Sequence, residues 1–259
     1  MQLNFQVFGE SGPALILVHG LFGSIANWRG VARELSKDFK VYVVDQRNHG
    51  DSPQVNTMSY RDMADDLDAF IASLQLRDFV LCGHSMGGKA AMVYALSDYA
   101  SVKEMRSLIV LDIAPVAYSH SHAPFLESMA EIDITSIGSR SEADKLLQVA
   151  IPDSATRLFL MQSLERKDGL FRWKLNLRVL HEYMTQIVGF PEEVLLNQVS
   201  EHSTLFLYGE RSEYVQPTMF GLIQKHFPQA LFDSVDAGHW IHVEQRQAMI
   251  EAMKRFLNV

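Results

Sequence analysis

The sequence carries a single cysteine, Cys82, in 259 residues. That excludes a disulfide within the chain and suits a reducing compartment. Long apolar runs are missing too: residues 14–18 and 108–111 fall far short of the roughly 20 residues a membrane-spanning helix needs. The opening stretch MQLNFQVFGESGPALILVHG has no basic segment ahead of an apolar one, so no secretory leader is expected and the protein reads as cytoplasmic. Basic residues are in deficit. The 23 Lys and Arg against 31 Asp and Glu leave a net charge of −8, which gives no electrostatic ground for binding nucleic acid or an anionic membrane. Repeats, low-complexity tracts and Gly/Ser linkers are absent as well. What remains is ordinary globular composition, 47% apolar and 21% charged, in a chain long enough for a large core.

The first half alternates short apolar runs with helical stripes. Residues 15–18, 41–44, 79–82 and 108–111 read as buried strands, and Trp28, Val31, Ala32 and Leu35 fall at helical spacing. The same holds for Met63, Leu67, Phe70, Ile71 and Leu74, and a further helix is expected over residues 86–96. Strands separated by helices predict an α/β fold, a mostly parallel sheet covered on both faces. After Pro115 the pattern becomes helix-rich and more polar with no evident buried strand. It resumes with runs at 204–208 and 231–235 and closes in an amphipathic helix at 245–257. The expectation is one α/β core, residues 1–115 and 191–259, interrupted by an inserted helical lid, residues 116–190.

The chemistry concentrates at Gly83-His84-Ser85-Met86-Gly87, a G-x-S-x-G directly after one predicted strand and directly before a helix. A serine at such a turn is lifted above the sheet, and larger residues in place of the glycines would collide with the strand and helix. A serine hydroxyl attacks an ester only when a base takes its proton. Of ten histidines, His239 is placed for this: it follows the 231–235 run, and loops after strand C-termini converge on the edge that carries Ser85. His242 is the rival, at or within the start of the last helix. Asp112, directly after the 108–111 run, suits the carboxylate that orients the imidazole, although it would serve equally to anchor the chain where the lid begins. Backbone N–H groups of Met86 and of Leu21, with Phe22 the near alternative, are the expected oxyanion donors. His19 reads as a residue that holds that loop.

His19–Ser24, Asp45–Ser52, Gly83–Ala90, Leu111–Val116 and Ala237–His242 (HGLFGS, DQRNHGDS, GHSMGGKA, LDIAPV and AGHWIH) together resemble the α/β-hydrolase superfamily. More narrowly, they resemble the small bacterial YbfF-like acyl esterase/thioesterase group. The resemblance implies an α/β-hydrolase fold with a mostly parallel eight-stranded sheet, an inserted helical cap, no cofactor, and hydrolysis of small-molecule acyl esters or acyl-CoA thioesters. The chain departs from the superfamily pattern in one place. Most members carry the acid after the strand that here is 204–208, whereas this chain reads Gly209-Glu210-Arg211-Ser212-Glu213, with a serine where that aspartate stands. Glu213 lies one residue off, which leaves Asp112 the better acid. Arg47 reads as structural. Lys89, one helical turn beyond Ser85, reads as a surface charge, an anchor for the turn, or a contact for an acidic substrate.

His120-Ser121-His122 and His239/His242 offer nitrogens without carboxylate or thiolate companions, so no metal is expected. Serine at the elbow disfavours dehalogenase and epoxide-hydrolase chemistry, which need a carboxylate nucleophile. A C–C bond hydrolase, a perhydrolase, a menaquinone-pathway-type lyase and a non-catalytic ligand receptor share the fold. The apolar lid residues Phe125, Leu126, Met129, Leu158, Phe159, Met161 and Trp173 favour an acyl chain over a polar ring, unless they only pack the lid. A patch around Arg47, or Arg166, Lys167, Arg172 and Lys174 of the lid, is the candidate grip for coenzyme A.

Overall fold

The computed structural model describes residues 1–196 and 198–259. Its sheet is built from β1 (Phe5–Phe8), β2 (Ala14–Val18), β3 (Lys40–Val44), β4 (Phe79–His84), β5 (Met105–Leu111), β8 (Ser203–Gly209) and β9 (Ala230–Val235). Their order is β1-β3-β2-β4-β5-β8-β9. All neighbours run parallel except β1, which pairs antiparallel with β3.

The central strands are continuous apolar runs because both of their faces are covered. Leu15, Leu17, Val41 and Val43 point into one core, with Trp28 of α1 (Ile25–Leu35) and Met249 of α12 (Arg246–Leu257). Ile16, Val18, Tyr42 and Val44 point into the other, with Leu67 of α2 (Tyr60–Ser73) and Met92 of α3 (Met86–Ala95). Ser24 and Ser59 start α1 and α2 with capping boxes closed by Asn27 and Asp62.

The expected eight strands are seven among the described residues. The residues ahead of β1 run on past the end of β3 instead of turning back along β1. There the Asn4 N–H donates to Ser52 Oγ at 2.8 Å, and its carbonyl accepts from the Asp45 N–H at 2.9 Å.

Between β5 and β8 the chain forms α4 (Ala123–Ala130), α5 (Arg140–Leu147), α6 (Ser154–Leu160), β6 (Leu164–Lys167), β7 (Leu170–Trp173), α7 (Leu177–Glu182), α8 (Met184–Val188) and α9 (Glu192–Leu195). The β6/β7 hairpin corrects the expectation of a helix-rich stretch with no evident buried strand. Asp168-Gly169 at its tip takes positive φ at both residues, 53° and 85°, the tight-turn geometry that Asp-Gly favours. Phe171 and Trp173 are buried while Leu170 and Arg172 stay exposed.

Lys89 also departs from its surface reading. α3 is buried along its whole length, so the side chain, 1% exposed, reaches the two ends of this excursion. Its Nζ donates to the carbonyls of Val116 (2.9 Å), Val188 (2.8 Å) and Gly189 (2.5 Å). Burial pushes its pKa down to about 7, while the three carbonyls and the Tyr118 face 4.6 Å away favour the ammonium. The chain closes with α10 (Phe220–His226), α11 (Ile241–Glu244) and α12. No helix among the described residues is long and apolar enough to cross a membrane.

Candidate active site

Ser85 sits between β4 and α3 at φ 52°, ψ −121°, a strained conformation for a residue with a side chain. Its N–H is held by the Leu111 carbonyl at 3.1 Å. The flanking glycines are demanded by close approach. A Cβ on Gly83 would fall on the Gly87 carbonyl, and one on Gly87 would lie 2.5 Å from the His19 carbonyl.

Asp112 leaves the end of β5 in the next loop, also at positive φ, 50°, with its N–H bound to the Leu207 carbonyl at 2.9 Å. This turns its fully buried carboxylate toward the loop after β9. His239 Nδ1 lies 2.7 Å from Asp112 Oδ2, and His239 Nε2 lies 3.0 Å from Ser85 Oγ. A neutral ring protonated on Nδ1 satisfies both contacts and leaves Nε2 to accept the serine proton. Glu213 is exposed, and it is Asp112 that meets His239.

Ser212 and Tyr214, to which the sequence alone assigns no role, complete this arrangement. Ser212 Oγ donates to Asp112 Oδ2 at 2.5 Å, and the Gly209 N–H donates to Oδ1 at 2.9 Å. With His239 these donors compensate a charge that burial would otherwise penalise heavily. Tyr214 lies flat on the His239 ring, centroids 3.8 Å apart and planes at 20°. Its hydroxyl meets His120 Nε2 at 2.9 Å, so His120 is engaged within the site. No group of three His, Cys, Asp or Glu side chains is set to hold a metal among the described residues.

The loop after β2 lies against the elbow: a Cβ on Gly20 would stand 3.2 Å from Ser85 Cβ. The Phe22 N–H is already committed to His49 Nε2 at 3.2 Å, which removes the alternative oxyanion donor. The Leu21 N–H has no protein acceptor among the described residues, and Met86, as the first residue of α3, has one of the unpaired donors of a helix start. Two buried histidines shape this loop. His19 accepts the Gln46 N–H at Nε2 (2.9 Å) and donates from Nδ1 to the Gly20 carbonyl (2.8 Å). His49 donates from Nδ1 to the Arg47 carbonyl (2.9 Å). Arg47 itself is anchored on Asp66 at 2.6 Å.

Two cavities meet at Ser85. One, of about 290 Å³, is lined by Phe22, Trp28, Phe125, Phe159, His239 and Trp240 among others. The other, of about 20 Å³, is walled by Met86, Lys89, Ile113, Tyr118 and Ile187 among others. In the larger cavity His242, in α11, stacks on Trp28 at 5.0 Å.

Burial pushes His49 and His242 each down to about 3 and lowers His19 and His84 as well. These rings are neutral in the folded protein and titrate near 6.5 when unfolded. Between those values the unfolded chain binds more protons, so stability falls as pH drops from about 6.5 toward 3. The urea midpoint is expected to fall from pH 7.5 to pH 5, with about 2 kcal/mol lost for each of His49 and His242. An unchanged midpoint would contradict the neutral assignment.

Residues 13–245 match the alpha/beta hydrolase fold family. The chain is 38% identical over 255 residues to the sn-1-specific diacylglycerol lipase ABHD11 of Mus musculus, covering 95% of this chain and 81% of the relative. It is 35% identical over 251 residues to esterase YbfF of Escherichia coli strain K12, covering 96% and 94%. Among solved structures it superposes on a marine microorganism esterase with a TM-score of 0.93 and 37% identity, over 98% of this chain and 99% of that one. The chain belongs to the α/β-hydrolase family, close to the YbfF-like esterases.

Proposed function

We propose that the protein is a serine hydrolase of carboxylic esters that works through an acyl-enzyme on Ser85. The observation that carries this reading is the unbroken hydrogen-bond path from Ser85 Oγ through His239 to Asp112, beside the N–H groups of Leu21 and Met86, which have no protein acceptor among the described residues. His239 takes the Ser85 proton as Oγ attacks the acyl carbonyl. The Leu21 and Met86 N–H groups receive the oxyanion, each worth roughly 3 kcal/mol. The Asp112 carboxylate holds the ring in the required tautomer and balances the imidazolium, and the stacked face of Tyr214 favours the same charge. His239 then protonates the departing alcohol, and a water activated by the same ring releases the acid.

In this reading residues 116–190 form a cap over the core built from 1–115 and 191–259. Phe125 and Phe159 of that segment roof the larger cavity. The cap's basic residues do not favour coenzyme A as the leaving group. Arg172 pairs with Glu165, Lys174 pairs with Asp51, and Arg166 donates to the Gly169 carbonyl. None of the three lines the larger cavity.

The test is turnover of p-nitrophenyl esters from acetyl to palmitoyl beside the matching acyl-CoA thioesters, with wild type and Ser85→Ala. Ester hydrolysis that disappears in Ser85→Ala, with acyl-CoA cleaved no faster than the esters, is expected. Failure of the wild type to cleave any ester would contradict the reading and bring the lyase and C–C hydrolase chemistries of this fold forward.

A further inference from the structure

We infer that the site is built for a short, neutral acyl group, acetyl or propanoyl, on an alcohol that carries the apolar bulk of the substrate. This deepens the esterase reading and rests on it.

The two cavities share Ser85, Leu21, His122 and Tyr214 but divide the reacting groups between them. His239, Trp240 and His242 line only the larger; Met86, Lys89 and Ile113 line only the smaller. Chemistry then sets the orientation. The group that leaves must take a proton from His239 Nε2, so the alcohol lies where His239 is exposed to the cavity. With the carbonyl oxygen held by the Leu21 and Met86 N–H groups, the acyl substituent is directed to the opposite side, the cavity that Met86 lines.

The volumes are unequal. About 20 Å³ is roughly the space one water occupies, on the scale where a site of 10–15 Å³ is the minimum for one, and so holds a methyl or ethyl group. About 290 Å³ approaches the roughly 300 Å³ at which small-molecule pockets begin.

The walls of the small cavity are tied together by hydrogen bonds that resist a longer chain. Tyr60 Oη donates to the Ile187 carbonyl at 2.5 Å. Tyr118 Oη accepts the Ala114 N–H at 2.9 Å and donates to the Tyr214 carbonyl at 2.7 Å. Lys89 has three ammonium protons and three carbonyl acceptors on Val116, Val188 and Gly189, so none is left for a carboxylate at the end of an acyl chain. The larger cavity offers instead the aromatic faces of Trp28, Phe125, Phe159 and Trp240.

The Ser85 Oγ–carbon bond forms and the carbon–alkoxy oxygen bond breaks, with the serine proton passing through His239 Nε2 to the alcohol. Water then adds its oxygen to the acyl carbon and returns a proton through His239 to Ser85, releasing the short-chain acid.

Isomeric esters of equal composition and matched alcohol acidity separate the two sides: hexyl acetate against ethyl hexanoate, and butyl acetate against ethyl butanoate. The wild-type kcat/KM for hexyl acetate is expected to exceed that for ethyl hexanoate by about a hundredfold or more, since each misplaced methylene costs tenfold upward. Ile187→Ala, which enlarges the small cavity, is expected to raise kcat/KM for ethyl butanoate relative to ethyl acetate by about tenfold. Ile187→Val tests the same wall with less disturbance and is expected to move the ratio in the same direction. Equal rates for the isomers, or faster cleavage of ethyl hexanoate, with turnover that still requires Ser85, would overturn the orientation and leave the esterase reading standing. No cleavage of any of the four esters by the wild type would overturn the esterase reading and the orientation together.

Discussion

Replacing Ser85 with alanine is expected to lower kcat on an ester by about a millionfold, the scale seen when the nucleophile of a serine–histidine–carboxylate unit is removed. The size of the loss follows from the geometry. His239 Nε2 stands 3.0 Å from Ser85 Oγ, and without that oxygen no group at the junction of the two cavities is placed to form the acyl-enzyme. The fold is expected to survive, because alanine keeps the Cβ and the backbone bond to Leu111 while giving up one hydrogen bond. What remains is the polarisation of the carbonyl by the Leu21 and Met86 N–H groups. Steady-state kinetics with thermal melts check this, and a loss of only tenfold with an unchanged melt would remove Ser85 from the chemistry.

The second large effect concerns the acid. Asp112→Ala leaves His239 Nδ1 and the Gly209 N–H without their buried acceptor and frees the ring to adopt the wrong tautomer. A loss of about 10⁴ in kcat is expected. Ser212 supplies the rescue. Its Oγ already lies 2.5 Å from Asp112 Oδ2, so an aspartate at 212 extends one carboxylate oxygen into the space that Asp112→Ala vacates. The double variant Asp112→Ala/Ser212→Asp is expected to regain about a hundredfold over Asp112→Ala, a partial share of the roughly 10⁴ the acid supplies. Ser212→Asp alone places two carboxylates in one buried pocket and raises the pKa of one of them, so it lowers activity although it adds an acid. No regain in a folded double variant would mean that Asp112 acts on the backbone and not through His239.

The sequence carried most of this because its strongest signals are local. The inner strands are legible as unbroken apolar runs since both faces are buried, and the glycines around Ser85 are legible because a Cβ at either place has no room. The contact of Asp112 with His239 was legible for a different reason, the serine standing at 212 where the superfamily's acid belongs, and that same serine donates to the Asp112 carboxylate. The parts that escaped depend on distant segments meeting. β1 is a half-exposed edge strand whose four residues give no clear alternation, and its pairing with β3 exists only in the folded chain. The β6/β7 hairpin carries one local turn signal, Asp168-Gly169, in a stretch that otherwise reads as helix-rich. Lys89 looks like any lysine on a helix until α3 is seen to run through the interior. Tyr214 reaches His239 only because the loops after β8 and β9 close on each other.

The most direct test is labelling with a fluorophosphonate followed by mass spectrometry of the digested protein. One label per chain is predicted, on the peptide containing Ser85, with ester hydrolysis lost in proportion to labelling. The rate is expected to fall by about a thousandfold or more in His239→Ala, because the serine then lacks the base that activates it. Label on another residue, hydrolysis that persists in fully labelled protein, or a wild-type labelling rate in His239→Ala would contradict the account.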